Sequence, residues 1–400
     1  MMSSKIMPKK LIFVMKVMNG GGAERVISLL SRAAAQKGNC VSLVLTHQNK
    51  NDAVLKDIDS RINVISLPDE TENQKVSSLA SKLLMLFARI IGKLGFKEKS
   101  SVFKYRSRNY KSVVWLKKYF RKHSDASVVA FLYDSIFYSL LSVTKKNKLI
   151  ISERGDPCQS LSSKTTMAFL KNEFHKADGV VFQSPDAQKW YEENTPVKGK
   201  VIFNPVKPDL PEVYEGERIK RIVNFCRISG QKNLIMLVDA FAEFHKDFPD
   251  YELDIIGDPV GNEVEGYLDS VNERIRYHHL ENSIHILPAK SDIHDYIKDY
   301  SMFVSSSDYE GMSNSMLEAM AMGLPCVCTD CPAGGARAVI KDGENGLLTP
   351  VGDSHALYLA MKKIAENPEL ANKLSHNSIK IREEQSVDKI IKKWMELING

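Results

Sequence analysis

The sequence predicts an α/β protein made of two Rossmann-like, doubly wound domains that face a cleft. Three observations carry this. Short apolar runs of strand length alternate along the chain with segments of helical periodicity, the pattern of parallel sheets with crossover helices. Many of these runs are apolar without alternation, as strands covered on both faces must be. At 400 residues the chain is long enough for two domains, each burying its own core.

In order, the first half offers strands at Leu11–Val17, Cys40–Thr46, Val128–Leu132, Lys148–Ser152 and Gly179–Gln183. The second half offers Arg221–Arg227, Glu252–Gly257, Ile284–Leu287, Met302–Ser306 and Pro325–Thr329. Between the halves, Asn204–Gly216 carries Pro205, Pro208 and Pro211 among several charges and reads as a linker. No repeat of solenoid period is visible.

Composition excludes several classes. Hydrophobic residues at 43% and charged residues at 26% rule out a disordered, collagenous or disulfide-scaffold chain. No apolar run reaches the ~18–20 residues of a membrane span. Leu11–Val14 is too short for a signal-peptide core. Six cysteines, three of them at Cys326, Cys328 and Cys331, fit a reducing cytosol better than a disulfide framework. No His pair or Cys-x-x-Cys completes a metal set around them, so packing is the reading for them and no metal is expected. His278 and His279 are adjacent and point apart. Trp115, Trp190 and Trp394 read as packing residues.

The net charge of +6 is unevenly spread. Gln74–His123 holds fourteen Lys/Arg and one acid, Glu98, a local +13 that leaves −7 for the remainder. Uniform basicity would point to nucleic acid; one basic block points to a single anionic surface. Within it, Leu79–Phe96 sets Leu83, Leu84, Phe87, Ile90, Ile91 and Leu94 on one helical stripe, with Lys82, Arg89 and Lys93 elsewhere. Such a helix can lie in the interface of an anionic membrane; a helix packed on its own domain is the plainer alternative.

Three motifs stand at strand ends. Gly20, Gly21 and Gly22 follow the first strand and precede an apolar helix, where backbone can approach an anion. Their spacing is neither the dinucleotide nor the Walker pattern. In the second half, Arg227 closes a strand and Lys232 follows five residues later, placed to hold a diphosphate at the carboxyl edge of a sheet. Third, Ser305–Glu318 runs from a strand end into a helix that Ser313 can cap. Glu310 and Glu318 suit hydroxyl-rich sugar rings attached to a phosphate.

Glu310 and Glu318, with seven residues between them and followed by Ala-Met-Ala-Met-Gly-Leu-Pro, resemble the hallmark of retaining glycosyltransferases of family 4. Arg227/Lys232, the Gly20–Gly22 loop, Asn204-Pro205-Val206 and Gly343–Pro350 fall where that family has its own motifs. The resemblance implies the GT-B architecture: an acceptor-side domain over 1–206, a nucleotide-sugar domain over 207–380, and a C-terminal helix, 381–400, crossing back to the first domain. It also implies site roles. Arg227 and Lys232 would bind the donor's diphosphate, Glu310 the transferred sugar, and Glu318 the ribose. Backbone amides of Gly311, Met312, Ser313 and Asn314 would meet phosphate and sugar, and Gly21 and Gly22 would close the cleft. Where many members have a sugar-facing His, this chain has Glu153-Arg154, so Arg154 is the substrate-side candidate. Where members often have a Glu after Arg337, it has Ala338.

The reading is a retaining transferase without a metal or other cofactor. It would move a hexose or N-acetylhexosamine from a nucleotide diphosphate sugar, UDP-linked by expectation, to a lipid-linked or growing-glycan acceptor in cell-surface polysaccharide synthesis, such as lipopolysaccharide or capsule. It would work in the cytoplasm, peripheral on the membrane's cytosolic face. An epimerase or phosphorylase of the same architecture is the alternative. A nucleic-acid-binding protein is the more distant rival, since the basic block carries no recognised nucleic-acid module.

Overall fold

The computed structural model describes residues 9–48, 55, 58–72, 78–160, 163–259 and 264–400. The chain divides into two units, Met1–Phe203 with Ile390–Gly400, and Asn204–Lys389.

The first unit holds β1 (Lys10–Met15), β2 (Cys40–Leu45), β3 (Asn63–Ser66), β4 (Ser127–Phe131), β5 (Lys148–Ser152), β6 (Gly179–Phe182) and β7 (Lys200–Val201). They form one parallel sheet in the order β3-β2-β1-β4-β5-β6-β7. The second unit holds β8 (Ile219–Phe225), β9 (Glu252–Ile256), β10 (Ile284–Leu287), β11 (Tyr300–Ser305), β12 (Cys326–Thr329) and β13 (Leu347–Thr349). These too are all parallel, in the order β10-β9-β8-β11-β12-β13. Strand order reverses beside β1 and beside β8, which are the positions where such sheets bind ligands. Both sheets are thus doubly wound, as the alternating apolar runs predict. β3, β7 and β13 were not expected as strands; each has four residues or fewer and lies at or next to a sheet edge, leaving little apolar signal.

Each sheet has its own core. Val14, Val44, Val128, Phe137, Phe169 and Phe182 meet in the first; Leu237, Phe241, Phe244, Val304, Val327 and Leu357 meet in the second. The boundaries differ slightly from the sequence reading. Asn204 belongs to the second unit because its side chain bonds the Met312 carbonyl (3.1 Å) and the Asn314 side chain (2.7 Å). Residues 381–389 also stay there: the Gln385 carbonyl accepts the Val206 N–H, and Arg382 donates to the carbonyls of Ala321 and Pro211. The chain passes to the first unit at Ile390, inside the helix Val387–Asn399, whose Trp394 is buried with its ring centroid 5.5 Å from that of Phe131.

Candidate active site

Beyond β8 the chain makes a short turn, Gly230–Lys232, before the helix Leu234–Asp247. Asn233 caps that helix in the left-handed region (φ 43°), its side-chain oxygen accepting the Met236 N–H. Asparagine tolerates this conformation and satisfies an orphan amide at once. The turn is tied to the segment after β11. The Asp308 N–H donates to the Gln231 carbonyl, Asn233 to the Asp308 carboxylate at 2.7 Å, Gln231 to the Tyr309 carbonyl at 2.8 Å, and Ser306 to the Lys232 carbonyl at 2.8 Å.

This lacing brings Lys232 against Glu310, whose Oε2 accepts from its Nζ. Their side chains are only 12% and 23% exposed. Burial works to lower the lysine's pKa, yet the Glu310 carboxylate outweighs it and the pKa rises above the ordinary value. The lysine therefore keeps its charge beside the carboxylate. Arg227, five residues earlier, is exposed, leaving a second cation open to solvent at the same sheet edge.

Ser313 caps the helix Asn314–Ala321, accepting the Met316 N–H, and Gly311 and Met312 are buried just before it. The close approach of Gly335 fixes this loop. A Cβ there would sit 1.5 Å from the Gly311 carbonyl oxygen, so only glycine fits. Glu318 lies one turn into the helix and is buried, with His294 Nε2 2.9 Å from its Oε2. His294 is itself buried, in the helix Ile293–Ile297, and its ring meets Phe225 edge-on. No sequence signal marked His294, since a lone histidine gives no spacing to read. Arg337 donates to Asp330 at 2.6 Å, so its charge is already matched without an acid at position 338. Cys331 donates to the Ser307 carbonyl, and Cys326 and Cys328 lie buried in β12.

The expected residues of the first unit are arranged differently. Glu24 folds back to accept the N–H groups of Asn19 (2.5 Å) and Gly21 (2.8 Å), so the Gly21 amide is already engaged. Gly20 takes φ 84° at the turn. Arg154 lies at the carboxyl end of β5, buried, with its guanidinium 4.9 Å from the Phe131 ring centroid. Burial lowers its pKa to about 9 against the opposing pull of Glu153. Glu153 accepts the N–H groups of Arg154 and Gly155 through one oxygen, and burial raises its pKa. Half-buried Tyr133, hydrogen-bonded to buried Tyr191, adjoins this polar cluster. Next to it Leu132 holds φ 65°, a conformation that costs a branched residue energy and tends to gather at functional sites. Tyr133 and Tyr191 were not singled out from sequence, and Glu153 was noted only for standing where a His is common, because only the fold draws the three together.

Residues 210–381 match the glycosyl transferases group 1 family model, and this span contains Arg227, Lys232, Glu310 and Glu318. The chain is a glycosyltransferase with the GT-B fold. It is 23% identical over 355 residues to an uncharacterized glycosyltransferase of Methanocaldococcus jannaschii, covering 74% of this chain and 84% of that one. It is 27% identical over 255 residues, 59% of this chain and 65% of the other, to an enzyme of Campylobacter jejuni. That relative is the N-acetylgalactosamine-N,N'-diacetylbacillosaminyl-diphospho-undecaprenol 4-alpha-N-acetylgalactosaminyltransferase. An uncharacterized glycosyltransferase of Haemophilus influenzae aligns at 26% identity over 45% of this chain and 49% of its own. Among solved structures, Anabaena HepE with UDP and glucose superposes with a TM-score of 0.77 at 17% identity, over 98% of this chain and 100% of that one. The pneumococcal O-GlcNAc transferase GtfA with UDP and GlcNAc gives 0.74 at 14% identity, over 98% and 99%. No helix among the described residues of this glycosyltransferase is long and apolar enough to cross a membrane.

Proposed function

We propose that the enzyme moves a hexose or N-acetylhexosamine from a UDP-linked sugar, with retention at the anomeric carbon, to a lipid-linked or growing-glycan acceptor in cell-surface polysaccharide synthesis. The observation that carries this reading is the half-buried Lys232–Glu310 pair at the carboxyl edge of the second sheet, with Arg227 exposed beside it. A cation and a carboxylate held together fit a donor that presents a diphosphate and sugar hydroxyls side by side. In the proposed roles Lys232 and Arg227 neutralise the diphosphate, Glu310 holds hydroxyls of the sugar, and Glu318, braced by His294, holds the ribose. The amides of Gly311–Asn314 and the terminus of the helix Asn314–Ala321 receive phosphate and sugar. HepE and GtfA, both solved with UDP and a sugar, support the donor class. The diphospho-undecaprenol in the name of the Campylobacter relative supports a lipid-linked acceptor and a place at the membrane's cytosolic face.

The chemistry follows from charge. The bond from the anomeric carbon to the diphosphate oxygen breaks as the acceptor oxygen bonds that carbon from the same face. The acceptor's proton passes to the departing diphosphate. Cations that neutralise the leaving group lower the barrier most, because negative charge develops there. No metal is assigned a role in this scheme.

The test is to incubate the enzyme with a panel of nucleotide sugars and follow donor consumption and product. A UDP-sugar consumed with sugar appearing on a polyprenyl-diphosphate glycan, with retained configuration, supports the reading. Turnover to an isomeric nucleotide sugar without acceptor would mark an epimerase, and a strict need for free phosphate would mark a phosphorylase.

A further inference from the structure

Helices Ser78–Lys93 and Lys97–Arg108 form a hairpin in the first unit. Their seam is made of small residues. Ser81 and Ser107 each donate to the other's carbonyl, at 2.9 and 2.8 Å, and Ser100 donates to the Ala88 carbonyl at 2.7 Å. A Cβ on Gly92 would sit 2.8 Å from Ser100 Oγ, so the backbones approach closely there. This seam decides which face stays outside. Leu84 and Ile91, expected on the apolar stripe, are only partly exposed. Leu83, Phe87, Ile90 and Leu94 stand out, between 47% and 69% exposed, joined by Leu79, Leu86 and Phe96. Seven of the twelve exposed large apolar side chains among the described residues fall in these 18 positions, a concentration that marks an interaction surface.

Beside the stripe lies a groove of about 560 Å³, floored by Gly92 and Ser100 and walled by Leu86 and Ile90. Arg89, Lys93, Lys97 and Lys104 rim it. All four are exposed, and among the described residues none has a carboxylate within ion-pair distance. Glu98, the block's one acid, pairs instead with Lys171 at 3.3 Å. The helix Lys97–Arg108 begins at this groove and Phe96 gives it no side-chain cap, so its positive end adds to the field. Four like charges around one cavity call for an anion, and the apolar stripe beside them calls for a hydrocarbon neighbour. A soluble phosphate or a nucleic acid would leave the stripe in water. A second copy would set cations against cations.

We infer that this hairpin docks the enzyme on an anionic bilayer, a headgroup phosphate entering the Arg89–Lys93–Lys97–Lys104 groove while the Leu83–Phe87–Ile90–Leu94 stripe sinks into the acyl boundary. The inference deepens the membrane placement in the proposed function, yet it uses none of the donor-binding residues. The two readings therefore fail separately.

Co-sedimentation of the full chain with vesicles tests it. Binding to mixed phosphatidylglycerol–phosphatidylcholine vesicles should exceed that to pure phosphatidylcholine by roughly tenfold or more and weaken with salt. The set Arg89→Ser, Lys93→Ser, Lys97→Ser and Lys104→Ser should lose that preference. The set Leu83→Ser, Phe87→Ser, Ile90→Ser and Leu94→Ser should lose binding to both. UDP affinity should hold in every variant, which reports an intact fold; should the fourfold variant unfold, Lys93→Ser with Lys97→Ser reads the same dependence. Equal binding to neutral vesicles, or unchanged binding after removal of the four cations, would overturn the inference. So would binding of inorganic phosphate with the apolar set leaving vesicle binding unaltered, which would make the groove a soluble-phosphate site. A wild-type dimer abolished by the apolar set, without vesicle binding, would assign the face to self-association instead.

Discussion

β1 and β8 occupy equivalent places in their sheets, each at the switch of strand order and each leading through a turn into a helix. Their turns are chemically opposite. After β1, Glu24 closes the glycine turn on itself by accepting the Asn19 and Gly21 amides. After β8, the turn is laced sideways to the segment following β11 and carries a half-buried Lys232–Glu310 pair. Equivalent topology supplies a place at the sheet edge in both. The side chains decide that one place is a closed cap and the other a charged cradle.

If that contrast is right, Lys232→Ala is the most damaging single change. We expect about a hundredfold loss of transfer rate, ~2.7 kcal/mol of barrier, while exposed Arg227→Ala loses about tenfold. Steady-state rates on variants with native circular dichroism measure this. Wild-type rates in both would remove the diphosphate role from the second turn.

A sharper division comes from the two carboxylates. Glu310→Gln should lower kcat while leaving UDP affinity near the parent's, whereas Glu318→Gln should weaken UDP about tenfold, ~1.4 kcal/mol. Calorimetric titration with UDP separates them, and parental affinity in Glu318→Gln would refute the ribose assignment.

His294 should act through Glu318. His294→Leu removes one hydrogen-bond donor from the buried Glu318 carboxylate, so UDP affinity should fall by about fivefold or more. His294→Gln can place an amide N–H near the same oxygen and should restore most of it. Equal losses in both variants would point to packing against Phe225 rather than positioning.

The smallest effect is expected in the first turn. Glu24→Ala removes a cap and should cost about 1 kcal/mol of stability, read by urea unfolding, with KM for the donor little changed. A large rise in KM would mean that the closed cap opens to bind the donor, and the contrast between the two turns would collapse.

The sequence alone was enough for the two doubly wound sheets, because parallel strands buried on both faces leave unbroken apolar runs such as Leu149–Ile151 and Met302–Val304 that little else produces. It also marked Arg227, Lys232, Glu310 and Glu318, since the loops and helix starts at the carboxyl ends of strands recur at readable intervals. Tertiary structure decided what those residues touch. Lys232 and Glu310 are 78 positions apart, and Glu318 and His294 are 24 apart. Pairings over such distances depend on which strands lie side by side. The same holds for the hairpin: periodicity announced an amphipathic helix, but only its seam with Lys97–Arg108 settled that Leu84 and Ile91 turn partly inward while Leu83 and Leu94 meet solvent. Local chemistry is written along the chain, whereas the partner of each buried charge is set by packing, which no single segment encodes.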